Sequence, residues 1–259
     1  MRGAASVLVA LSFLGSPATP TQIVTVHDHP QTVRLYGPRD DRGTSLGPRR
    51  TAIVSSGDGG WIHLAPHIAE LLADNGWFVI GFDTRAYLSS VSDANQVLSV
   101  ADIPRDYKTL VSLAGTPATK PLLIGVSEGA GLSAAAAVDP AMKREIGGVI
   151  AIGLGDSNEL AWHVRDAIIY VTKGIPREPL FHATDILGEV APIPVAMLRS
   201  TGDEFVKPGE SDQLMRAARE PKALWTITAG DHRFSNNLQQ FDAHLLDAIA
   251  WIESAPNAR

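Results

Sequence analysis

A serine flanked by two glycines lies near the middle of the chain, where an apolar run gives way to an alanine-rich stretch. Gly125, Ser127 and Gly129 follow the run Leu122–Ile124 and precede a helix-forming segment that ends near Ala137. On a sharp strand-to-helix turn, the residues two positions from the serine must be small, because larger side chains would collide across the turn. The pattern predicts a nucleophile elbow that exposes the Ser127 hydroxyl above the sheet. A glycine-rich turn that serves only close helix–sheet packing is the alternative.

A serine hydroxyl becomes an effective nucleophile only with a base, and that base needs an acid to orient it. Two later strand-like runs end in loops that carry Asp203 and His232. The chain order serine, acid, histidine, with each partner after a later strand, is typical of this chemistry on a parallel sheet. We therefore predict Ser127 as the nucleophile, His232 as the base and Asp203 as the orienting acid. Glu204 is the alternative acid, and Asp203 is preferred because it directly follows a turn glycine.

Acyl transfer also requires hydrogen-bond donors for the negative charge that develops on the carbonyl oxygen. The backbone N–H of Glu128, next to the nucleophile, is the first predicted donor. The second should come from the glycine-rich loop Ser55–Trp61, since glycines allow the backbone to approach a substrate closely. Asp58 is the predicted donor in that loop, with Gly59 as the alternative.

Four acidic residues are expected near the end of the sheet that carries the serine. Asp58, Asp83, Glu128 and Asp231 all lie in or beside the loops that follow strands. An acidic mouth would favour a cationic substrate. The alternative is that these carboxylates stabilise the imidazolium of the base or point away from the pocket.

A dinucleotide site is a competing interpretation of the Ser55–Trp61 loop, because Asp83 ends the next strand. The dinucleotide fingerprint G-x-G-x-x-G would need a glycine at position 62, where the chain has Ile62. That interpretation also leaves Ser127, Asp203 and His232 without a role. The sequence therefore favours acyl transfer, and no organic cofactor is predicted.

Two histidine pairs have spacings that could suit a metal. His27 and His29 would share a face if they lay on one strand, and His63 and His67 are one helical turn apart. The first pair has no third ligand in view, and the second lacks the H-E-x-x-H pattern of zinc sites. Solvated histidines are the preferred interpretation of the first pair, and no metal is predicted.

Alternating strands and helices must hold these residues in place. The strands lack polar alternation, which indicates a mostly parallel sheet buried on both faces and covered by helices on both sides. Two short β-like runs, near 22–26 and 32–36, come first, and a serine-rich loop is predicted between Asp83 and Asp102. Residues from about Asp156 to Val190 break the rhythm and are predicted to form a small inserted lid. The predicted strands are 51–56, 77–83, 121–126, 146–155, 194–200 and 223–229, and the predicted helices are 63–76, 102–115, 128–138 and 237–254.

Composition limits the class of protein. The chain has 259 residues, 45% of them hydrophobic and 19% charged, which is typical of one large globular domain. The formal net charge is −6 with no basic run, so nucleic acid is not an expected partner. There is no cysteine, which excludes disulfides, a thiol nucleophile and a lipidated N-terminal cysteine.

The N-terminus predicts a secretory signal peptide. Arg2 precedes an apolar run from about Ala4 to Gly15, and small residues at positions 16 and 18 suit cleavage after Ala18. An uncleaved anchor is the alternative. The expected organisation is a signal peptide over residues 1–18 and one hydrolase domain over 19–259. A bacterial periplasm is the predicted compartment, with the exterior as the alternative.

Together these motifs resemble the α/β-hydrolase superfamily over nearly all of the mature chain. Within it, the segments "SGDGGW", "GFDTRAY" and "ELAWHV" resemble the VirJ/AcvB group of exported bacterial virulence-associated proteins. The elbow of that group is typically G-Y-S-F-G-A-D, whereas this chain has Val126, Glu128 and Gly131 at the variable positions. The histidine loop of the group tends to be H-H-F, whereas this chain has Asp231-His232-Arg233-Phe234.

The resemblance implies an α/β-hydrolase fold and hydrolysis of aminoacylated phosphatidylglycerol, chiefly the lysyl ester, at the outer face of the inner membrane. Peripheral contact with a membrane surface would accompany that activity. A generic small-ester carboxylesterase is the second enzymatic hypothesis. A non-catalytic binding protein for secretion machinery, which retains only the fold, is the hypothesis from a different class.

Overall fold

The structure is a computed structural model that describes residues 19–37, 50–163 and 178–255. The predicted signal peptide, residues 1–18, lies outside the described residues. Within the described ranges, no helix is both long enough and apolar enough to cross a bilayer.

An eight-stranded sheet forms the centre of the molecule. The strands lie side by side in the order β1-β2-β4-β3-β5-β6-β9-β10. Six of them are parallel, namely β4, β3, β5, β6, β9 and β10, and the β1–β2 hairpin joins β4 in an antiparallel manner. A separate two-stranded antiparallel pair, β7 and β8, follows β6 along the chain. The strands are β1 Thr21–Val26, β2 His29–Tyr36, β3 Thr51–Ser55, β4 Phe78–Phe82, β5 Leu122–Val126, β6 Gly148–Ile152, β7 Ser157–Glu159, β8 Leu180–His182, β9 Val195–Ser200 and β10 Lys222–Ile227.

Helices cover both faces of this sheet, as the buried strands predict. Successive residues of β3 point to opposite faces. Ile53 packs in the cluster that includes residues of α2, α3 and α4, whereas Ala52 and Val54 pack in the cluster formed with α1 and α8. The helices are α1 Leu64–Asp74, α2 Thr84–Asp93, α3 Ile103–Ser112, α4 Glu128–Ala136, α5 Met142–Glu145, α6 Ala183–Val190, α7 Pro208–Ala217 and α8 Leu238–Ser254.

The predicted serine-rich loop between Asp83 and Asp102 is wrong in its first half, because Thr84–Asp93 form helix α2. Asp83 caps the helix, and its side chain accepts the backbone N–H of the third helical residue. Tyr87, Leu88 and Val91 are buried at helical spacing. Two of the serines that suggested a loop donate their hydroxyls to carbonyl oxygens of the preceding turn, so the helix satisfies them internally.

The segment predicted as a lid is described only in part. Its described portion contains β7, β8 and α6, whereas residues 164–177 lie outside the described residues. The lid therefore stays a prediction. Strand β7 packs against α4, the helix that begins directly after the elbow serine.

Candidate active site

The serine elbow lies at the junction of β5 and α4. Ser127 has φ 51° and ψ −117°, a left-handed region that non-glycine residues rarely adopt. Its backbone N–H donates to the Ile152 carbonyl oxygen at 2.8 Å, which ties the elbow to the end of the neighbouring strand β6. Strain of this kind persists only where surrounding contacts enforce it, and it is typical of functional sites.

The two flanking glycines are required by close backbone packing. A Cβ atom on Gly125 would lie 2.1 Å from the Gly129 carbonyl oxygen, and one on Gly129 would lie 2.4 Å from the Ser56 carbonyl oxygen. Real Cβ atoms do not approach backbone this closely, so both positions demand glycine. Close packing and a half-buried serine that lines the cleft therefore occur together at this turn.

His232 and Asp203 form a tight pair at the ends of β10 and β9. His232 Nδ1 lies 2.6 Å from Asp203 Oδ2, and the aspartate side chain is only 1% exposed. Asp203 Oδ1 also accepts the backbone N–H groups of Phe205 and Val206, each at 2.8 Å. Burial alone would raise the pKa of Asp203, but the hydrogen bond and charge of His232 and these amides outweigh it and hold the pKa below its ordinary value. The carboxylate is therefore ionised and fixed in orientation.

Glu204, the alternative acid, contacts a different part of the same histidine. Its Oε2 accepts the backbone N–H of His232 at 2.8 Å, whereas the imidazole ring bonds to Asp203. The two adjacent acids thus hold one residue at two points. Phe205 adds an edge-to-face contact with the imidazole, at 5.4 Å between ring centroids.

Gly153, which was not among the predicted site residues, leaves room for the imidazole of His232. Gly153 follows β6 with φ +60°, and a Cβ atom there would lie 2.7 Å from His232 Cε1. The imidazole therefore packs directly on the backbone just beyond the end of β6. The available signal was a glycine near the carboxyl end of the predicted buried strand 146–155, at the sheet edge where the other site residues were expected.

Ser127 and His232 line one open cleft of about 520 Å³ together with the loop after β3. Gly57 in that loop comes so close that a Cβ atom on it would lie 3.3 Å from Ser127 Cβ. Asp58 and Gly59, the two predicted sources of the second donor, both line the cleft.

The acidic mouth expected from the sequence is reduced to one carboxylate. Of the four acids, only Asp58 lines the cleft, where Arg233 also lies. Asp83 caps α2 and accepts the Trp61 backbone N–H at 3.2 Å. Asp231 accepts hydrogen bonds from Ser235, and Glu128 is buried behind the elbow. Turn and cap geometry, which charge counting along the sequence does not reveal, draws these side chains away.

Apolar side chains also line the cleft. Ile62 and Phe205 stand at its mouth with 50% and 41% of their surfaces exposed. Among the described residues, Ile23 and Val97 are the other large hydrophobic residues with such exposure, and neither lines the cleft.

Gly131 explains one departure from the related elbow motif. A Cβ atom on Gly131 would lie 1.9 Å from Asn158 Oδ1, because the buried Asn158 side chain fills the space beside α4. An aspartate cannot fit there in this arrangement.

The histidine pairs have structural contacts. His27 and Asp28 form the turn between β1 and β2, with positive φ angles, so His27 and His29 do not alternate along one strand. His27 Nδ1 lies 2.9 Å from Asp106 Oδ2 and its side chain is 12% exposed, so the solvated interpretation is wrong for this residue. His67 Nε2 pairs with Asp242 at 2.6 Å. Within the described ranges, no three potential ligands converge as a metal site requires.

Comparison with known proteins identifies the fold. Residues 49–252 match the family described as bacterial virulence protein (VirJ). A search of curated protein sequences finds no match. Among solved structures, Est1E from Butyrivibrio proteoclasticus superposes with a TM-score of 0.64 at 15% identity, over 89% of this chain and 99% of that chain. XC6422 from Xanthomonas campestris, described as an a/b serine hydrolase without lid, gives 0.57 at 15% identity over 94% and 99%.

A membrane phospholipase A described as a bacterial virulence factor superposes with a TM-score of 0.63 at 11% identity, over 92% of this chain and 87% of that chain. At such identities the likeness establishes the fold and not the activity. The fold is that of the α/β hydrolases, as the sequence predicts.

Proposed function

The chain belongs to the VirJ family, and we propose that it is a serine hydrolase that cleaves a carboxylic ester through an acyl-enzyme. The observation that carries the proposal is the 2.6 Å contact between His232 Nδ1 and Asp203 Oδ2, with His232 lining the cleft that Ser127 also lines. In this proposal Ser127 is the nucleophile, His232 is the base and then the acid, and Asp203 orients the imidazole.

The proposed reaction follows from these positions. Ser127 Oγ attacks the carbonyl carbon while His232 Nε2 accepts its proton, and Asp203 stabilises the resulting imidazolium. The oxyanion accepts hydrogen bonds from the backbone N–H groups of Glu128 and Asp58, with Gly59 as the alternative donor. Collapse of the intermediate expels the alcohol, which takes the proton from His232. A water molecule deprotonated by His232 then hydrolyses the ester on Ser127, and these steps require neither a metal nor an organic cofactor.

Labelling with a fluorophosphonate tests this proposal directly. We expect the probe to attach to Ser127 in the wild type, and Ser127→Ala to lose labelling and reduce ester turnover on the order of 10³-fold or more. Wild-type turnover in Ser127→Ala would exclude the serine mechanism. A wild type that neither reacts with the probe nor cleaves any ester would instead favour the non-catalytic binding protein.

The proposed substrate is an amphiphilic ester, and the specific candidate is the lysyl ester of phosphatidylglycerol. The exposed Ile62 and Phe205 at the mouth support an apolar part, and Asp58 supports a cationic part. The cleft is open and its volume of about 520 Å³ includes the solvent at its mouth, so lipid chains would have to remain outside it. The small cleft also favours the second candidate, a generic small-ester carboxylesterase. Purified protein assayed on aminoacyl lipids and short p-nitrophenyl esters separates the two.

We also propose that the protein acts outside the cytoplasm, in the periplasm or, as the alternative, the exterior. The basis is the signal-peptide pattern of residues 1–18. Mass spectrometry of the protein from the producing cell should find an N-terminus near Thr19. An intact Met1 on the major species would contradict cleavage.

A further inference from the structure

Glu128 combines two features that conflict if its side chain is charged. Its backbone N–H is a proposed oxyanion donor, because the residue directly follows Ser127. The residue is only 8% exposed and does not line the cleft. Instead, Glu128 Oε1 accepts the backbone N–H of Glu159 in β7 at 2.5 Å.

This contact is part of the way β7 docks on helix α4. Asn158, the neighbour of Glu159, is 1% exposed and fills the space that Gly131 leaves open. The Asn158 amide donates to the carbonyl oxygens of Gly155 and Asp156, which fixes the side chain in place. Strand β7 is therefore held on α4 in two ways: Asn158 fills the space beside Gly131, and the Glu128 carboxyl accepts the backbone N–H of Glu159.

The ionisable groups that face Glu128 come from three different segments. They are Glu159 of β7, Asp58 of the loop after β3, and Tyr107 of α3. Burial raises the pKa of Tyr107 to about 12, so this hydroxyl is neutral, and it bonds to Ser55 Oγ at 2.9 Å. Burial raises the pKa of Glu128 well above its ordinary value, and the charges of Glu159 and Asp58 raise it further. The positive end of α4 favours an anion, but this effect is small beside the cost of burying a charge.

A neutral Glu128 also removes an electrostatic penalty from the proposed reaction. An anionic side chain on the residue that donates to the oxyanion would repel the negative charge as it develops. A protonated carboxyl can still accept the Glu159 N–H.

We infer that Glu128 is a positioning residue that works as a neutral carboxyl, holding β7 against the first turn of α4 and sparing the oxyanion hole a second negative charge beside that of Asp58. The part that concerns the oxyanion rests on the proposed function.

Infrared spectroscopy tests the protonation state without any need for activity. We expect the Ser127→Ala protein at neutral pH to show the absorption of a protonated carboxyl group, and this band to be missing when Glu128→Gln is added. Glu145→Gln is the matched control, since Glu145 lies on α5 and pairs with Lys108 at 3.1 Å. The band should persist in this control. A spectrum that Glu128→Gln leaves unchanged would overturn the inference.

The pH profile of short-ester hydrolysis tests the effect on the oxyanion. We expect wild-type kcat/KM to fall by about tenfold to a lower plateau over the pH range in which the Glu128 band is lost, because the anionic side chain repels the oxyanion while the serine, the histidine and the backbone donors stay in place. Glu128→Gln should show no such fall over the same range, whereas Glu145→Gln should follow the wild type. Activity that stays level while the band disappears would overturn the electrostatic role. Failure of the proposed function is distinguishable, because it would appear as absent fluorophosphonate labelling with the infrared result intact.

Discussion

The imidazole of His232 packs on the backbone of Gly153, with Cε1 2.7 Å from the position that a Cβ atom would take. This contact links β6 to a histidine in the loop after β10, and no side chain larger than hydrogen fits between them. The imidazole can therefore occupy this position only if residue 153 is glycine.

We expect Gly153→Ala to displace the imidazole and lower ester turnover on the order of 10²-fold, since misplacement of a reacting group by about 1 Å has effects of that size. The positive φ of Gly153 should add a loss of about 1 kcal/mol of unfolding free energy. Gly209→Ala is the matched control, because a Cβ atom there has no neighbour within 4 Å. Equal turnover in the two variants would contradict the proposed constraint.

The two adjacent acids should differ sharply in their effects on catalysis. Asp203→Asn should lower kcat by up to about 10⁴-fold, because the imidazole loses the carboxylate that sets its tautomer and stabilises its charge. Glu204→Gln should have a much smaller effect, since the amide oxygen of glutamine can still accept the His232 backbone N–H. Turnover numbers on one short ester provide the ranking. The reverse order would assign the orienting role to Glu204.

Asp203 should also make stability depend on acid pH. Because its folded-state pKa is lowered, its contribution to the unfolding free energy is present above the ordinary pKa of about 3.8 and is lost as pH falls through the folded-state value. The difference in unfolding free energy between wild type and Asp203→Asn should therefore shrink as the pH falls below this range. Urea unfolding of both proteins at a series of acid pH values measures this difference in unfolding free energy. A difference that does not change with pH would contradict a lowered pKa of Asp203 in the folded state.

The sequence predicts the elbow and the alternation of buried strands with helices well because both leave recognisable local patterns. Gly125 is required by the backbone of the turn itself and Gly129 by the neighbouring backbone of Ser55 and Ser56, and buried parallel strands are uniformly apolar. Helix α2 was missed because serine favours loops on average, whereas here serine hydroxyls bond within the helix and Asp83 caps it. The direction in which each acid points depends on caps and turns, so no periodicity in the sequence predicts it.

Asp58 should be the acid that governs preference for a cationic ester. Because it is the one acid of the predicted four that lines the cleft, Asp58→Asn should lower kcat/KM for lysyl esters relative to alanyl esters of the same alcohol by a few fold, the size expected of an exposed ion pair. Added salt should weaken the preference, since exposed charges are screened over about 8–10 Å. Asp231→Asn, whose native carboxylate bonds to Ser235, should leave the ratio unchanged. A wild-type ratio near one at low salt would remove the charge argument for the lysyl substrate and favour the generic carboxylesterase.

Ile62 and Phe205 should contribute to contact with a lipid surface. If the substrate is a lipid, the cleft is too small for its chains, so the mouth must reach the membrane while the chains remain there. We expect Ser127→Ala protein to co-sediment with phosphatidylglycerol vesicles, and Ile62→Ser and Phe205→Ser to weaken that binding because each removes exposed apolar surface. Ile23→Ser and Val97→Ser are matched controls, since these residues are 72% and 76% exposed and do not line the cleft. Because sedimentation does not depend on turnover, altered packing of Phe205 on His232 does not affect the result. Equal losses of vesicle binding in all four variants would indicate nonspecific adsorption. No loss in any of them would contradict membrane contact through Ile62 and Phe205, which would then contact a soluble substrate instead.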